Sequence, residues 1–189
     1  KRRLIVDMSS LCWTNLLGGK DAEFGKTVVH EGKNVFVNSA TYGYEKAMSF
    51  LTNVMSNLAI APYDVILVIE GAMSKARRGA MVPGYKEGRD SRPPEAYDAF
   101  NDMKHRVSNA LRSVGTMTVK QDGVEGDDVI AYLCQKLQGK KIILSNDDDL
   151  AVLINEDVSL YRMGAFVTHE DPNPQGPFPF KYITLRKSL

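Results

Sequence analysis

Residues 65–71 read VILVIEG, an apolar, largely β-branched run that stops at an acid, Glu70. A strand with one wet face alternates apolar and polar side chains, whereas an unbroken apolar run belongs to a strand covered on both faces. Residues 4–7, LIVD, repeat the layout and stop at Asp7, and shorter runs follow at 116–119, 141–145 and 158–161. Between them lie stretches of helical period. In 40–59 the apolar positions are Tyr44, Ala47, Met48, Leu51, Val54, Met55 and Leu58, and 96–114 and 129–137 carry similar spacing. Strands alternating with helices predict an α/β domain, with a mainly parallel central sheet flanked by helices.

Such a sheet builds its sites beyond the carboxyl ends of the strands. Asp7, Glu70 and Asp147 each stand at or just after one of those ends, and Glu125, Asp127 and Asp128 start the helix that follows the 116–119 strand. With Asp149, seven carboxylates are expected at one edge of the sheet. Two like charges about 4 Å apart repel by roughly 4 kcal/mol at an effective dielectric near 20, so the group must take up protons or bind cations. All-oxygen donors suit magnesium or manganese rather than zinc. Two such ions, about 3.5–4 Å apart, can activate a water and stabilise the leaving oxygen in attack on a phosphodiester.

The opposing reading is that these acids only start helices and turns. EGDD at 125–128 has the composition of a helix cap, and NDDDL at 146–150 that of a strand-to-helix turn. The joint placement at four strand ends favours the site. A calcium-binding helix-loop-helix is disfavoured, because the fifth and sixth positions counted from Asp147 are Ala151 and Val152, and no HExxH is present.

The chain of 189 residues is 43% hydrophobic and 25% charged, which suits one globular domain and argues against global disorder. No apolar run approaches the roughly 20 residues that cross a bilayer, so neither a signal peptide nor a membrane partner is expected, and a cytoplasmic location follows. Cys12 and Cys134 lie far apart among apolar neighbours and read as reduced core thiols. Met48, Met55 and Met103 read as core filling, while His30, His105 and His169 show no ligand spacing and read as surface residues.

A net charge of +1 implies no polyanionic partner by itself, but the distribution is uneven. Lys75, Arg77, Arg78, Lys86, Arg89 and Arg92 face only Glu87 and Asp90 within 75–92, in a segment, 73–94, that reads as an excursion between a strand and a helix. By charge alone this is a solvated loop. Residues 20–38 read as an inserted hairpin around Glu31-Gly32-Lys33, and 170–189 as an irregular, initially proline-rich tail.

With these residues in hand, the chain resembles the 5′-nuclease (flap endonuclease) family, which includes bacteriophage 5′-to-3′ exonucleases, phage RNase H and the 5′-nuclease domain of DNA polymerase I. LIVDMSS is similar to the family's first strand, VIEG occupies the place of its second acidic motif, and RGAMVPGYKEGR repeats the family spacing at Arg78, Pro83, Tyr85, Lys86 and Arg89. GVEGDDVIAYL resembles its glutamate and paired aspartates, and ILSNDDDLAVLI its later aspartate pair. Glu70 stands where the family usually has aspartate, Gly126 where it has alanine, and Asp148 falls between the two expected ligands.

The resemblance implies a PIN-like catalytic domain over 1–189 whose metal ligands are Asp7, Glu70, Glu125, Asp127, Asp128, Asp147 and Asp149, with two magnesium ions that manganese can replace. It implies that 73–94 is a basic arch or gateway. There Lys86 would stabilise charge on the scissile phosphate, Arg89 and Arg78 would hold phosphates, and Tyr85 would stack on a base. The expected activity is hydrolysis of DNA at 5′ ends, flaps or nicks, RNA–DNA hybrids included, by a monomer acting in replication or repair. The expected compartment is the cytoplasm, that of the host cell if the chain is phage-encoded. The family continues into a helix-hairpin-helix element that binds duplex and adds aspartates, and ITLRKSL at 183–189 resembles its approach. Two alternatives stay open: a metal-dependent ribonuclease on the same architecture, and a non-catalytic module that recognises branched DNA.

Overall fold

The computed structural model describes residues 1–16, 25–82, 94–162 and 165–167. Among these, β1 (Arg2–Asp7) lies at the centre of a six-stranded sheet, with β4 (Val65–Glu70) and then β5 (Met117–Gln121) on one side. On its other side lie β6 (Lys140–Leu144), β7 (Val158–Arg162) and β8 (Ala165–Val167). The pairings from β5 through β7 are all parallel, and only β7 with β8 is antiparallel. The α/β architecture expected from the sequence is present.

The unbroken apolar runs are explained by what covers them. Leu4, Val6, Leu67 and Leu144 point to one face, where they meet α1 (Met8–Asn15), α2 (Ser39–Asn57) and α4 (Pro94–Arg112) through Leu11, Leu51, Met103 and Val107. The intervening residues Ile5, Ile66 and Ile143 point to the other, where Val129 and Ile130 of α5 (Gly126–Lys136) and Leu150 of a 3₁₀ helix (Asp148–Leu153) cover them. Each such aliphatic side chain, removed from water, contributes about 1.5–3 kcal/mol. No helix among the described residues is long and apolar enough to cross a membrane.

Helix boundaries follow local chemistry. α4 begins on Pro94 with Glu95 in its first turn and ends with Arg112 in its last, and α5 has Asp127 and Asp128 first and Lys136 last, each sign matched to the helix dipole. The expected strand at 116–119 instead spans Met117–Gln121. Thr116 is buried just before it and donates its hydroxyl to the carbonyl of Pro62 at 3.0 Å.

Within the stretch read as a hairpin over 20–38, β2 (Gly25–His30) and β3 (Lys33–Asn38) pair antiparallel in a sheet separate from the main one, and 20–24 lie outside the described residues. Glu31 and Gly32 both take positive φ, 49° and 73°, as a two-residue primed turn requires. Cys12 and Cys134 are free and buried, and burial pushes their thiols up to about 12 and about 11. His30 and His105 are exposed as expected, while His169 lies outside the described residues.

Several elements were not expected from the sequence, among them β8, a 3₁₀ turn at Pro62–Asp64 and two helices. α1 follows β1 without a linker, and α3 (Ser74–Met81) forms the first part of the segment read as an excursion. Between β4 and α3 the backbone of Gly71 passes against β5. A Cβ there would collide with the carbonyl oxygen of Gln121 and stand 2.7 Å from Cα of Asp122. Gly71→Ala is therefore expected to lower unfolding stability by about 1–3 kcal/mol, read from the urea midpoint at constant m-value. An unchanged midpoint would mean that the close approach of these two connections is wrong.

Candidate active site

The chain leaves β1 toward β4 and β5, then returns to its other side for β6 and β7, so the strand order reverses between β1 and β6. A crevice opens at the carboxyl ends of strands where the order reverses in this way. Register decides what lines it. Asp7 is paired with Val68 of β4, and Val6 with Leu144 of β6. Glu70 therefore lies one pleat period beyond the partner of Asp7, and Ser145 lies next to Asp7 across the sheet. Asp7, Glu70 and Ser145 also share strand parity with Ile5, Val68 and Ile143, the face that α5 covers. The amino end of α5 brings Glu125 and Asp127 to the same place.

The result is a cleft of about 730 Å³. Asp7, Glu70, Glu125, Asp127, Asp147 and Asp148 line its acidic side, and Trp13, Tyr97, Phe100 and Asn101 stand among its other walls. Five of the seven expected acids thus converge. Asp128 and Asp149 are not among the lining residues: both are exposed, Asp128 turning to Arg78 and Asp149 donating its backbone N–H to Asp147 at 3.1 Å. Asp148, which the sequence motif did not call for, does line the cleft and forms an ion pair with Arg162 of β7.

Asp7 is the most constrained of the group. It is 8% exposed, and its Oδ1 accepts from the backbone N–H of Ser9 and Ser10 at 3.0 and 3.1 Å. Its Oδ2 accepts from the hydroxyl of Ser145 at 2.7 Å. Burial raises the Asp7 pKa above its ordinary value, the hydrogen bond from Ser145 and those from Ser10 and Ser9 oppose the shift, and the charge of Asp147 adds to it. Ser145 is wholly buried and also accepts from the N–H of Asp147 at 3.0 Å, so one hydroxyl fixes both acids. A second strap runs from the N–H of Asn146 to Ser10 Oγ at 2.8 Å. The sequence reading missed these hydroxyls, although a serine directly after the buried run at 141–144 was the available signal.

The capping interpretation is right in part. Asp7 caps α1 and Asp147 caps the 3₁₀ helix through their side chains. Glu125 occupies the cap position of α5 but makes no side-chain capping bond. Its carboxylate, buried at 5% residue exposure, instead accepts from Nη1 of Arg78 at 3.1 Å. Glu70 accepts from the hydroxyl of Ser74 at 2.8 Å.

Among the described residues, no three acidic, imidazole or thiol side chains are already drawn into a metal-binding group. Protein donors hold them instead: Ser145 and two backbone amides on Asp7, Ser74 on Glu70, and Arg78 on Glu125. The donor chemistry nevertheless fits a hard divalent cation, since every candidate ligand is a carboxylate oxygen. Arg78 was expected to clasp phosphate; here it clasps two of the acids. Tyr85, Lys86 and Arg89 lie outside the described residues, as do the rest of 83–93 and residues 17–24, 163–164 and 168–189.

Comparison with known proteins gives the family and the fold. The sequence model of the 5′-3′ exonuclease N-terminal resolvase-like domain matches residues 25–175. The chain is 30% identical over 126 residues to a 5′-3′ exonuclease of Buchnera aphidicola subsp. Acyrthosiphon pisum (strain APS), covering 65% of this chain and 41% of that protein. It is 31% identical over 126 residues to a 5′-3′ exonuclease of Aquifex aeolicus (strain VF5), covering 65% and 40%. The chain thus spans about two fifths of the length of these relatives. Among solved structures, a bacteriophage T5 flap endonuclease in a pseudo-enzyme-product complex with DNA and metal ions shares the fold over 90% of this chain and 59% of that one. The TM-score is 0.63 and the identity 17%. From the match over most of its length, the chain belongs to the family of 5′-3′ exonuclease N-terminal resolvase-like domains.

Proposed function

We propose that this chain is the catalytic domain of a magnesium-dependent 5′ nuclease that hydrolyses phosphodiester bonds at DNA 5′ ends or flaps. The observation that carries the reading is the convergence of Asp7, Glu70, Glu125, Asp127 and Asp147, from separate elements, on one cleft where the strand order reverses. The fold is shared with a flap endonuclease described in complex with DNA and metal ions, which supports both the substrate and the cofactor.

The five acids would hold two divalent ions, which when bound would supply an activated water and neutralise charge on the scissile phosphate. The protein's own contribution is to aim the acids. Ser9, Ser10 and Ser145 fix both oxygens of Asp7, and Ser145 sets the backbone of Asp147. Ser74 orients Glu70, whose extra methylene relative to aspartate lengthens its reach from β4. By the resemblance of their motif, Lys86 and Arg89, which lie outside the described residues, would take the phosphate and Tyr85 would stack on a neighbouring base. Attack by water leaves a 5′-phosphate.

A second reading, a DNA-binding module without turnover, draws on Glu70 in an aspartate position and on the arginine that already clasps Glu125. Multiple turnovers on a flap substrate in manganese would eliminate it. Matched DNA and RNA 5′ ends separate a nuclease for DNA from one for RNA by their relative rates.

Asp147→Asn is expected to reduce magnesium-dependent cleavage of a flap or nicked duplex by at least about 100-fold, the scale of a lost charge-stabilising group. Full activity in that variant would refute the metal assignment. The charge on Asp7 supplies a further measurement. Because its folded pKa is raised, the folded state prefers the protonated form. The resulting penalty is absent below the ordinary value of 3.8 and grows as pH rises through the raised value. In EDTA, Asp7→Asn should therefore gain stability relative to wild type as pH increases through that window, read as the difference in urea midpoints. A pH-independent difference would show that Asp7 carries no such penalty.

A further inference from the structure

Arg78 is the clearest group that the proposed chemistry does not absorb. It sits on α3, half-buried, with Nη1 at 3.1 Å from Glu125 Oε2 and Nη2 at 2.9 and 3.2 Å from the two oxygens of Asp128. The two legs are unequal. The side chain of Asp128 is 50% exposed, so its pairing with Arg78 is screened and weak, whereas that of Glu125 is 6% exposed and a charge there needs a partner. The base of α3 is pinned beside the same cleft. Ser74 donates to Glu70, the N–H of Ala72 donates to Asp122 at 2.9 Å, and that of Gly123 donates to the carbonyl of Ala72 at 2.7 Å. The guanidinium is therefore delivered to Glu125 by a short, anchored connection.

We infer that Arg78 is an exchangeable counterion for Glu125: it neutralises this acid in the ion-free protein, competes with a divalent cation for it, and so sets the affinity of the site. The inference rests on the reading of Glu125 as a metal ligand. A divalent ion drawing on Glu125 places positive charge beside the guanidinium. Mutual repulsion then favours release of Arg78 from Glu125, with Asp128 as the residual anchor. Arg78 is on this account a positioning residue, and its effect is present without nucleic acid. A residue that only clasps phosphate would leave ion binding untouched in the absence of DNA, and a residue that only braces α3 would weaken ion binding when removed.

The test is manganese binding to the full chain without nucleic acid, followed by electron paramagnetic resonance, in wild type, R78M and R78K. R78M should bind manganese roughly 3- to 10-fold more tightly than wild type, the range set by loss of a partly exposed ion pair, with R78K between them. Far-ultraviolet circular dichroism checks the fold, and R78Q replaces R78M if that variant does not fold. Unchanged or weaker manganese affinity in a folded R78M or R78Q would overturn the inference while leaving the metal site standing. Absence of binding in wild type and every variant would instead overturn the metal reading, and this inference with it.

Discussion

The carboxylate of Asp7 is held at the end of a buried central strand with only 8% of the residue exposed, and the charge of Asp147 faces it. Removing a carboxylate from water costs several kcal/mol, and a neighbouring anion adds to the cost. Three hydrogen bonds offset part of this, yet the pKa remains raised, so the donors in the protein do not fully balance the charge. A site arranged in this way is poised for a cation. The surrounding straps from Ser145 and Ser10 make sense as devices that keep the acids in place against their own repulsion.

The other acids show how the same demand is met in different currencies. Glu125, slightly more buried than Asp7, is given a guanidinium. Asp148 is given Arg162, buried in β7, whose pKa is lowered by burial and raised again by Asp147. Glu70, at the outer edge, needs only the Ser74 hydroxyl. Burial alone does not set the partner: Asp7, buried, is held by a hydroxyl and two backbone amides, whereas the exposed Asp148 has a guanidinium. As the proposed ligands the acids would not be equivalent: entry of an ion would disturb an ion pair at Glu125 and only a neutral hydrogen bond at Glu70.

The architecture was readable from the sequence because buried parallel strands leave an unmistakable mark. VILVI and LIV are apolar at every position because helices cover both faces, and the acids that follow them line the cleft beside the point where the strand order reverses. The hairpin was readable from Glu31-Gly32, which supply the positive φ that its turn needs. Tertiary partners were not. α1 is only eight residues long, and Asn15 stands where its period of Met8, Leu11 and Cys12 would place another apolar side chain, while α3 hides in a segment whose basic composition suggested a loop. The motif at 125–128 named acids but could not say that the side chain of Asp128 turns away from the cleft, nor that Arg78 reaches Glu125 from 47 residues away.

Anionic and cationic halves of this site have different mechanical origins, and that difference follows from chain connectivity. The acids stand on strand ends and on the head of α5, all fixed by the two cores that sandwich the sheet. The basic residues instead cluster on the connection between β4 and α4, beginning with Arg77 and Arg78 on α3. That connection leaves the sheet at Glu70, directly at the cleft, through a backbone contact so close that only glycine fits at position 71. A positive group must come near the acids to serve either them or a phosphate, and a connection anchored at the cleft's rim brings it there without burying it. The rigid half can then keep its ligands aimed while the cationic half exchanges partners, which is why the arginine that stabilises the ion-free acids belongs on α3 and not on a strand.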